Sequence, residues 1–283
     1  MDKTYHINGT EFYNPPIEYL SKETYPNFQL KLEEFKLQLK KQVENGEGKS
    51  YFKFGDGDYF FLKRKPRGSA KPGNRALSKG YWRINHKEFI MGSKKNDYFM
   101  CEITEQNTKY FREIFNFDAN FPAEFVYGLL SNKWLFENFK NQIGLIGANE
   151  KIEIIKELMR NEQYQEYLGL EEFNDYISIP QKFACDDVES TRDIVKKQIQ
   201  KSSSKIFLLG VGHVKSGLIN LLPEYKNAIY LDVGSGIDAI AGIIDNERPY
   251  FYLWKNFKLK NDDIYKNVDF LHFKFNGSET VLP

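Results

Sequence analysis

Apolar positions along the chain change period several times, and the changes divide it into elements. Phe28, Leu32, Phe35, Leu39 and Val43 recur at spacings of four, three, four and four. That spacing predicts an amphipathic helix over 28–43, ended by Gly46 and Gly48. The run Ser50-Tyr51-Phe52-Lys53-Phe54 predicts a short aromatic strand that breaks at Gly55-Asp56-Gly57-Asp58. Before these elements, residues 1–25 contain Pro15-Pro16 and little periodicity, so an irregular lead-in is expected. Prolines and glycines among basic residues over 66–80 predict a loop. The stretch 81–140 is mixed, with helices expected near 104–116 and 122–140.

From residue 143 the pattern becomes regular. Ile143-Gly144-Leu145-Ile146-Gly147-Ala148 reads as a buried strand, with Asn149 placed to cap a helix carrying Ile152, Ile155, Leu158 and Met159 on one face. Tyr176–Pro180 is expected to be a second strand and 188–200 a second helix. Lys205–Leu209 follows as a third strand, breaking at Gly210-Val211-Gly212-His213 into a helix from Val214 to Leu222. Ala228–Leu231 is the fourth, breaking at Asp232-Val233-Gly234-Ser235-Gly236. Strands alternating with helices at this spacing predict an α/β fold with a Rossmann-like parallel sheet. An N-terminal helical and aromatic extension would complete one domain over 1–283. Its expected parts are 1–25, 26–140, 141–255 and a C-terminal tail at 256–283.

Composition narrows the function classes. Forty basic and 39 acidic side chains nearly cancel in the 283 residues, so the basic footprint of a nucleic-acid binder is missing. The local cluster Lys63-Arg64-Lys65-Pro66-Arg67 suits an anionic small molecule or a membrane surface. Two cysteines, Cys101 and Cys185, lack CxxC spacing, which argues against a disulfide framework or structural zinc and suits a reducing cytosol. Met1–His6 is polar, without the apolar centre of a signal peptide, and no apolar run approaches the ~20 residues of a membrane span. The expected location is therefore the cytoplasm.

Ligands of an open parallel sheet bind beyond the carboxyl ends of its strands. Gly147 with Asn149, Gln181-Lys182, Gly210 with Gly212, and Asp232 with Gly234 and Ser235 all stand at such ends. Glycine lets backbone approach a phosphate, and a helix start offers free N–H groups. Structural glycines of any α/β protein read the same way. Asp56 and Asp58, separated by Gly57 after Gly55, have the spacing to share one divalent cation against a diphosphate. An Asp-Gly hairpin turn is the competing reading. His213 could act as a base, Arg248 could reach a diphosphate, and Tyr81-Trp82-Arg83 could stack on a base or sugar.

The order of these pieces, Phe52-Lys53-Phe54-Gly55-Asp56-Gly57-Asp58, a helical middle, then Leu231-Asp232-Val233-Gly234-Ser235 and Arg248-Pro249-Tyr250, resembles the bacterial glycosyltransferases of the GT-D fold. The resemblance spans roughly residues 30–255 and is specific around 52–58 and 228–250. It implies a UDP-sugar donor and a divalent metal (Mn²⁺ or Mg²⁺) held at an acid-x-acid motif. Asp56 and Asp58 fill those two positions, Asp58 standing where the family usually has glutamate. Lys53 stands where an arginine is common. By the same resemblance the acceptor is a surface glycan or glycoprotein, with peripheral membrane contact and a homodimer left open. On this reading Gly55, Gly57, Gly147, Asn149, Gly210, Gly212, Asp232, Gly234, Ser235 and Arg248 bind the donor. A carboxylate or His213 takes the acceptor proton.

Two other readings start from the same residues. The D-x-G-x-G run at 232–236 resembles the first motif of a methyltransferase using S-adenosylmethionine. Roughly 100 further residues of α/β units are then expected beyond it, and Gly236 stands too near residue 283. A non-catalytic nucleotide- or glycan-binding protein is the third.

Overall fold

A computed structural model describes residues 4–7, 10–13, 27–63, 85–180, 187–243, 254–266, 268 and 280–283. Its centre is a seven-stranded sheet in the order β5-β4-β3-β9-β8-β6-β7, and every pairing within it is parallel. The strands are β3 (Lys49–Phe54), β4 (Tyr98–Cys101), β5 (Phe121–Pro122), β6 (Ile143–Ala148), β7 (Asp175–Ile179), β8 (Ile206–Gly210) and β9 (Ile229–Asp232). The order carries β9, last of the seven in the chain, back between β8 and β3, so the aromatic N-terminal strand and the regular C-terminal half share one sheet. The fold class is therefore α/β with a parallel sheet, as the alternation of elements predicts.

Helices cover both faces, which is why these strands are apolar along nearly their whole length. Alternation along β3 sends Tyr51 to one face, where it packs against Phe35 of α1 (Phe28–Glu44) at 5.8 Å and stacks on Tyr98 at 4.6 Å. Phe52 and Phe54 point the other way. They meet Phe61 of α2 (Asp56–Leu62), Phe89 of α3 (His86–Ser93) and Phe111 and Phe115 of α4 (Glu105–Phe115). Each fully buried aromatic of this kind contributes about 1.5–3 kcal/mol, so this cluster is a rigid wall beneath the carboxyl ends of β3 and β4.

Helix α1 and strand β6 lie where the periodicity places them. Other elements differ. The lead-in holds an antiparallel pair, β1 (Thr4–Ile7) with β2 (Thr10–Tyr13). The tail contributes β10 (Phe257–Leu259) paired in parallel with β11 (Thr280–Leu282), and Phe257, Leu259 and Leu282 are buried in the main core. The helix expected over 122–140 is two, α5 (Glu124–Ser131) and α6 (Trp134–Asn138), because Lys133 adopts the left-handed φ of 64° and breaks the ladder. Asn149 is the first residue of α7 (Asn149–Met159) rather than its cap, which Ala148 provides without a side-chain bond. Helices α8 (Glu162–Leu168) and α9 (Val188–Ile199) follow, the latter capped by Asp187 accepting from the Ser190 N–H at 2.8 Å.

The helix expected from Val214 to Leu222 is instead two 3₁₀ segments, Gly212–Gly217 and Ile219–Leu221, before the short α10 (Leu222–Tyr225). Close packing accounts for this. A Cβ on Gly92 of α3 would lie 2.1 Å from the Ser216 carbonyl oxygen, and Lys215 is drawn inward to carboxylates. Helix α11 (Gly236–Ile240) follows β9. Among the described residues no helix is long and apolar enough to cross a membrane.

Candidate functional site

The acidic run after β3 is a helix start, not a hairpin. Gly55 caps α2 with an extended backbone, and the Asp58 side chain reaches back so that its Oδ2 accepts from the Gly55 N–H at 3.0 Å. That is the reciprocal bond of a capping box, with aspartate in the third helical position. Asp56 is exposed, while Asp58 is 5% exposed.

Lys215, from the first 3₁₀ segment, meets Asp58 from the other side. Its Nζ donates to Asp58 Oδ2 at 2.8 Å, to Asp232 Oδ2 at 3.2 Å and to the Lys53 carbonyl oxygen. All three side chains are nearly sealed from solvent. Asp232, at the end of β9, also accepts from the Lys53 N–H at 3.2 Å and the Gly234 N–H at 3.1 Å. One ammonium thus ties together the carboxyl ends of β3 and β9 and the segment that follows β8.

A second group of charges adjoins it. The Lys53 ammonium lies 5.2 Å from the Tyr127 ring centre. Burial opposes its charge, but Tyr127 together with Glu102, Asp232 and Asp58 holds it well above the usual lysine range. Glu102, just past β4, accepts from the Asp56 N–H and from the Asn107 side-chain amide, both at 2.9 Å. Glu124, at the start of α5, accepts from the Ile103 N–H at 3.2 Å. Burial, reinforced by the neighbouring Glu102 carboxylate, pushes its carboxyl up to about 8. At neutral pH it carries a proton. Asp58 moves the other way: burial would raise it, but Lys215, His213 and Lys53 bring it below the ordinary carboxylate range.

His213 is half-buried and stacks on Phe61, ring centres 4.4 Å apart at 30°. Burial, aided by Lys215, lowers its basicity against the opposing pull of Asp58, and its ring donates to the Gly57 carbonyl. It is therefore a neutral imidazole at pH 7, at the rim of the charge cluster.

The glycines of the strand ends divide into two kinds. Among the described residues, added Cβ atoms at Gly57 or Gly212 would meet nothing within 4 Å, so both present open backbone there. A Cβ on Gly55 would instead lie 2.7 Å from Glu102 Oε1 and 3.1 Å from Lys53 Nζ, and one on Gly234, whose φ is left-handed at 51°, would lie 2.8 Å from Lys53 Cε. Gly147 and Gly210 serve packing: Ile237 of α11 lies 3.2 Å from a Cβ at the first and 2.6 Å from one at the second. Asn149 is exposed beyond β6, and Ser235 is half-buried at the start of α11. The fold thus gathers Gly55, Asp56, Gly57, Asp58, Gly212, His213, Asp232 and Gly234 around β3, β8 and β9. Gly147 and Asn149 stand one strand further out. Arg248, Gln181-Lys182 and Tyr81-Trp82-Arg83 lie outside the described residues.

Pattern reading passed over Lys215, Glu102 and Glu124. A signal existed for Lys53, since a lone charge in a buried aromatic strand requires a partner. Lys215 and Glu124 carry no such mark.

A divalent cation shared by Asp56 and Asp58 does not fit this arrangement. Hard cations need oxygens converging on one point, whereas residues two apart on a helix face different ways. Here one carboxylate is in solvent and the other is turned inward onto an ammonium. Asp232, the residue on which a methyltransferase reading depends, likewise spends its carboxylate on internal donors.

No protein-family model and no curated protein matches the chain. Among solved structures, one described as a new glycosyltransferase (DUF1792) from Streptococcus sanguinis aligns with 72% of this chain and 81% of its own. Identity is 13% and the TM-score 0.41. A superposition this loose carries nothing about activity.

Proposed function

We propose that the protein is a glycosyltransferase that takes a nucleotide-diphosphate sugar, of the UDP-sugar type, and transfers its hexosyl group to a glycan or glycoprotein acceptor. The supporting observation is the convergence of buried, mutually paired ionisable groups at the carboxyl ends of β3, β8 and β9, with Lys53 raised and Asp58 lowered from their ordinary ranges. Such clusters mark functional sites, and the carboxyl ends of parallel strands are where α/β sheets bind ligands. The open backbone at Gly57 and Gly212 leaves room for phosphate oxygens against peptide N–H groups. Lys53 and Lys215 supply fixed positive charge where a diphosphate leaving group develops negative charge.

His213 is the base in this reading. A neutral imidazole at the rim takes the acceptor hydroxyl proton as the hydroxyl oxygen attacks the anomeric carbon. The nucleoside diphosphate departs with the electron pair of the broken bond. Asp58 and Asp232 keep the lysines fixed and do not meet the acceptor. The test is a thermal-shift screen of nucleoside diphosphates, followed by donor turnover with candidate acceptors. Binding stabilises the fold by mass action. If no nucleoside diphosphate raises the melting temperature at millimolar concentration, the reading is wrong.

A further inference from the structure

The Lys215 ammonium sits among two carboxylate oxygens and one backbone carbonyl oxygen, from Asp58, Asp232 and Lys53. That is the kind of hard oxygen set a divalent cation takes. An ammonium has three protons, and here each has an oxygen. We infer that Lys215 occupies, as a built-in cation, the place a metal would hold beside Asp58, and that donor binding and transfer proceed without a divalent metal. Asp58 is then a positioning residue, the counter-ion that fixes Lys215, and not a metal ligand. The inference rests on the glycosyltransferase reading for its consequence in transfer, but its metal arm stands alone.

Three features of the site support it. Asp58 Oδ2 already has two donors, the Gly55 N–H and Lys215. Asp232 Oδ2 is shared between Lys215 and the Lys53 N–H. Lys53 brings a second ammonium into the same region, close enough that a Cβ on Gly55 would lie 3.1 Å from its Nζ. A divalent cation at Asp58 would face two positive charges at short range, and such like-charge contact is strongly repulsive in a buried site.

The experiment is a Mn²⁺ titration of the full chain by electron paramagnetic resonance, with and without UDP, alongside Lys215→Ala. The wild type is expected to bind no Mn²⁺ at stoichiometric level. Lys215→Ala, which empties the oxygen set while leaving both carboxylates, is expected to gain a Mn²⁺ site and a Mn²⁺-dependent rise in melting temperature. A purely structural lysine would produce no such gain. Stoichiometric Mn²⁺ in the wild type, lost in Asp58→Asn, overturns the inference, as does a folded Lys215→Ala that gains no Mn²⁺. If Lys215→Ala does not fold, the wild-type titration decides. UDP affinity unchanged within about twofold between EDTA and Mn²⁺ supports the inference, and a tenfold loss in EDTA overturns it. UDP that binds in neither condition sinks the glycosyltransferase reading, while the Mn²⁺ titration still decides the occupancy of the site.

Discussion

Replacing Glu124 with glutamine should change stability by an amount whose sign reverses with pH. Glu124 is fully buried, and its carboxyl is raised from 4.5 to about 8. A carboxyl with a raised folded pKa stabilises the fold fully only below its unfolded value, and this contribution is lost as pH rises toward the folded value. Above pH 8 the total loss is about 5 kcal/mol, and about 3 kcal/mol is already gone at pH 7. Glutamine does not titrate and keeps an oxygen for the Ile103 N–H, but its amide brings one proton more than the protonated Glu124 carboxyl to the side of Oε2, which has no hydrogen-bond partner among the described residues. That unmet donor costs about 1–3 kcal/mol at any pH. Urea unfolding of both proteins at intervals from pH 5 to 9 should therefore find Glu124→Gln less stable at pH 5 and more stable at pH 8.5. A difference that stays constant across that range would refute the claim that Glu124 is held protonated.

The remaining tests address the other parts of the site. Lys215→Met leaves Asp58 and Asp232 buried without their counter-ion and should cost about 3–5 kcal/mol by denaturant unfolding. Adding Asp58→Asn should recover part of it, since the two changes share one interaction. Gly234→Ala combines a left-handed φ with a Cβ 2.8 Å from Lys53 Cε, so both stability and nucleotide affinity should fall, by about 1–3 kcal/mol in stability. Gly57→Ala, inside a helix and with nothing among the described residues within 4 Å of its new Cβ, should raise stability by about 0.5–1 kcal/mol while weakening UDP binding measured by calorimetry. His213→Gln should lower turnover on the order of 10²-fold or more. The wild-type acid limb should fall below the usual histidine range, because His213 must be neutral to act, and the variant should lack that limb.

The parallel sheet was legible because its strands are buried on both faces. Such strands read as short apolar runs, and Ile143–Ala148 could hardly be anything else. The register of β3 beside β9, about 180 residues apart in the chain, could not be read, because no local pattern encodes which strand lies next to which. The break within 122–140 has a local cause of another kind: Lys133 adopts a left-handed φ there, and lysine carries no sequence mark for positive φ. The pair formed by β1 and β2 and the pair formed by β10 and β11 are too short to raise a periodic signal.

The site divides along the same line. That Gly55-Asp56-Gly57-Asp58 follows a buried strand, and that glycines recur at the later strand ends, is written in the chain, because strand length and turn chemistry are local. What those residues face is set by packing between elements far apart in the chain. Asp56 and Asp58 look equivalent in the chain, yet helix geometry turns one to solvent and the other inward to Lys215, 157 positions away. The same packing gives Gly147 and Gly210 to Ile237 and leaves Gly57 and Gly212 open. Charge pairing and close approach depend on distances in space, and a linear pattern holds no record of them.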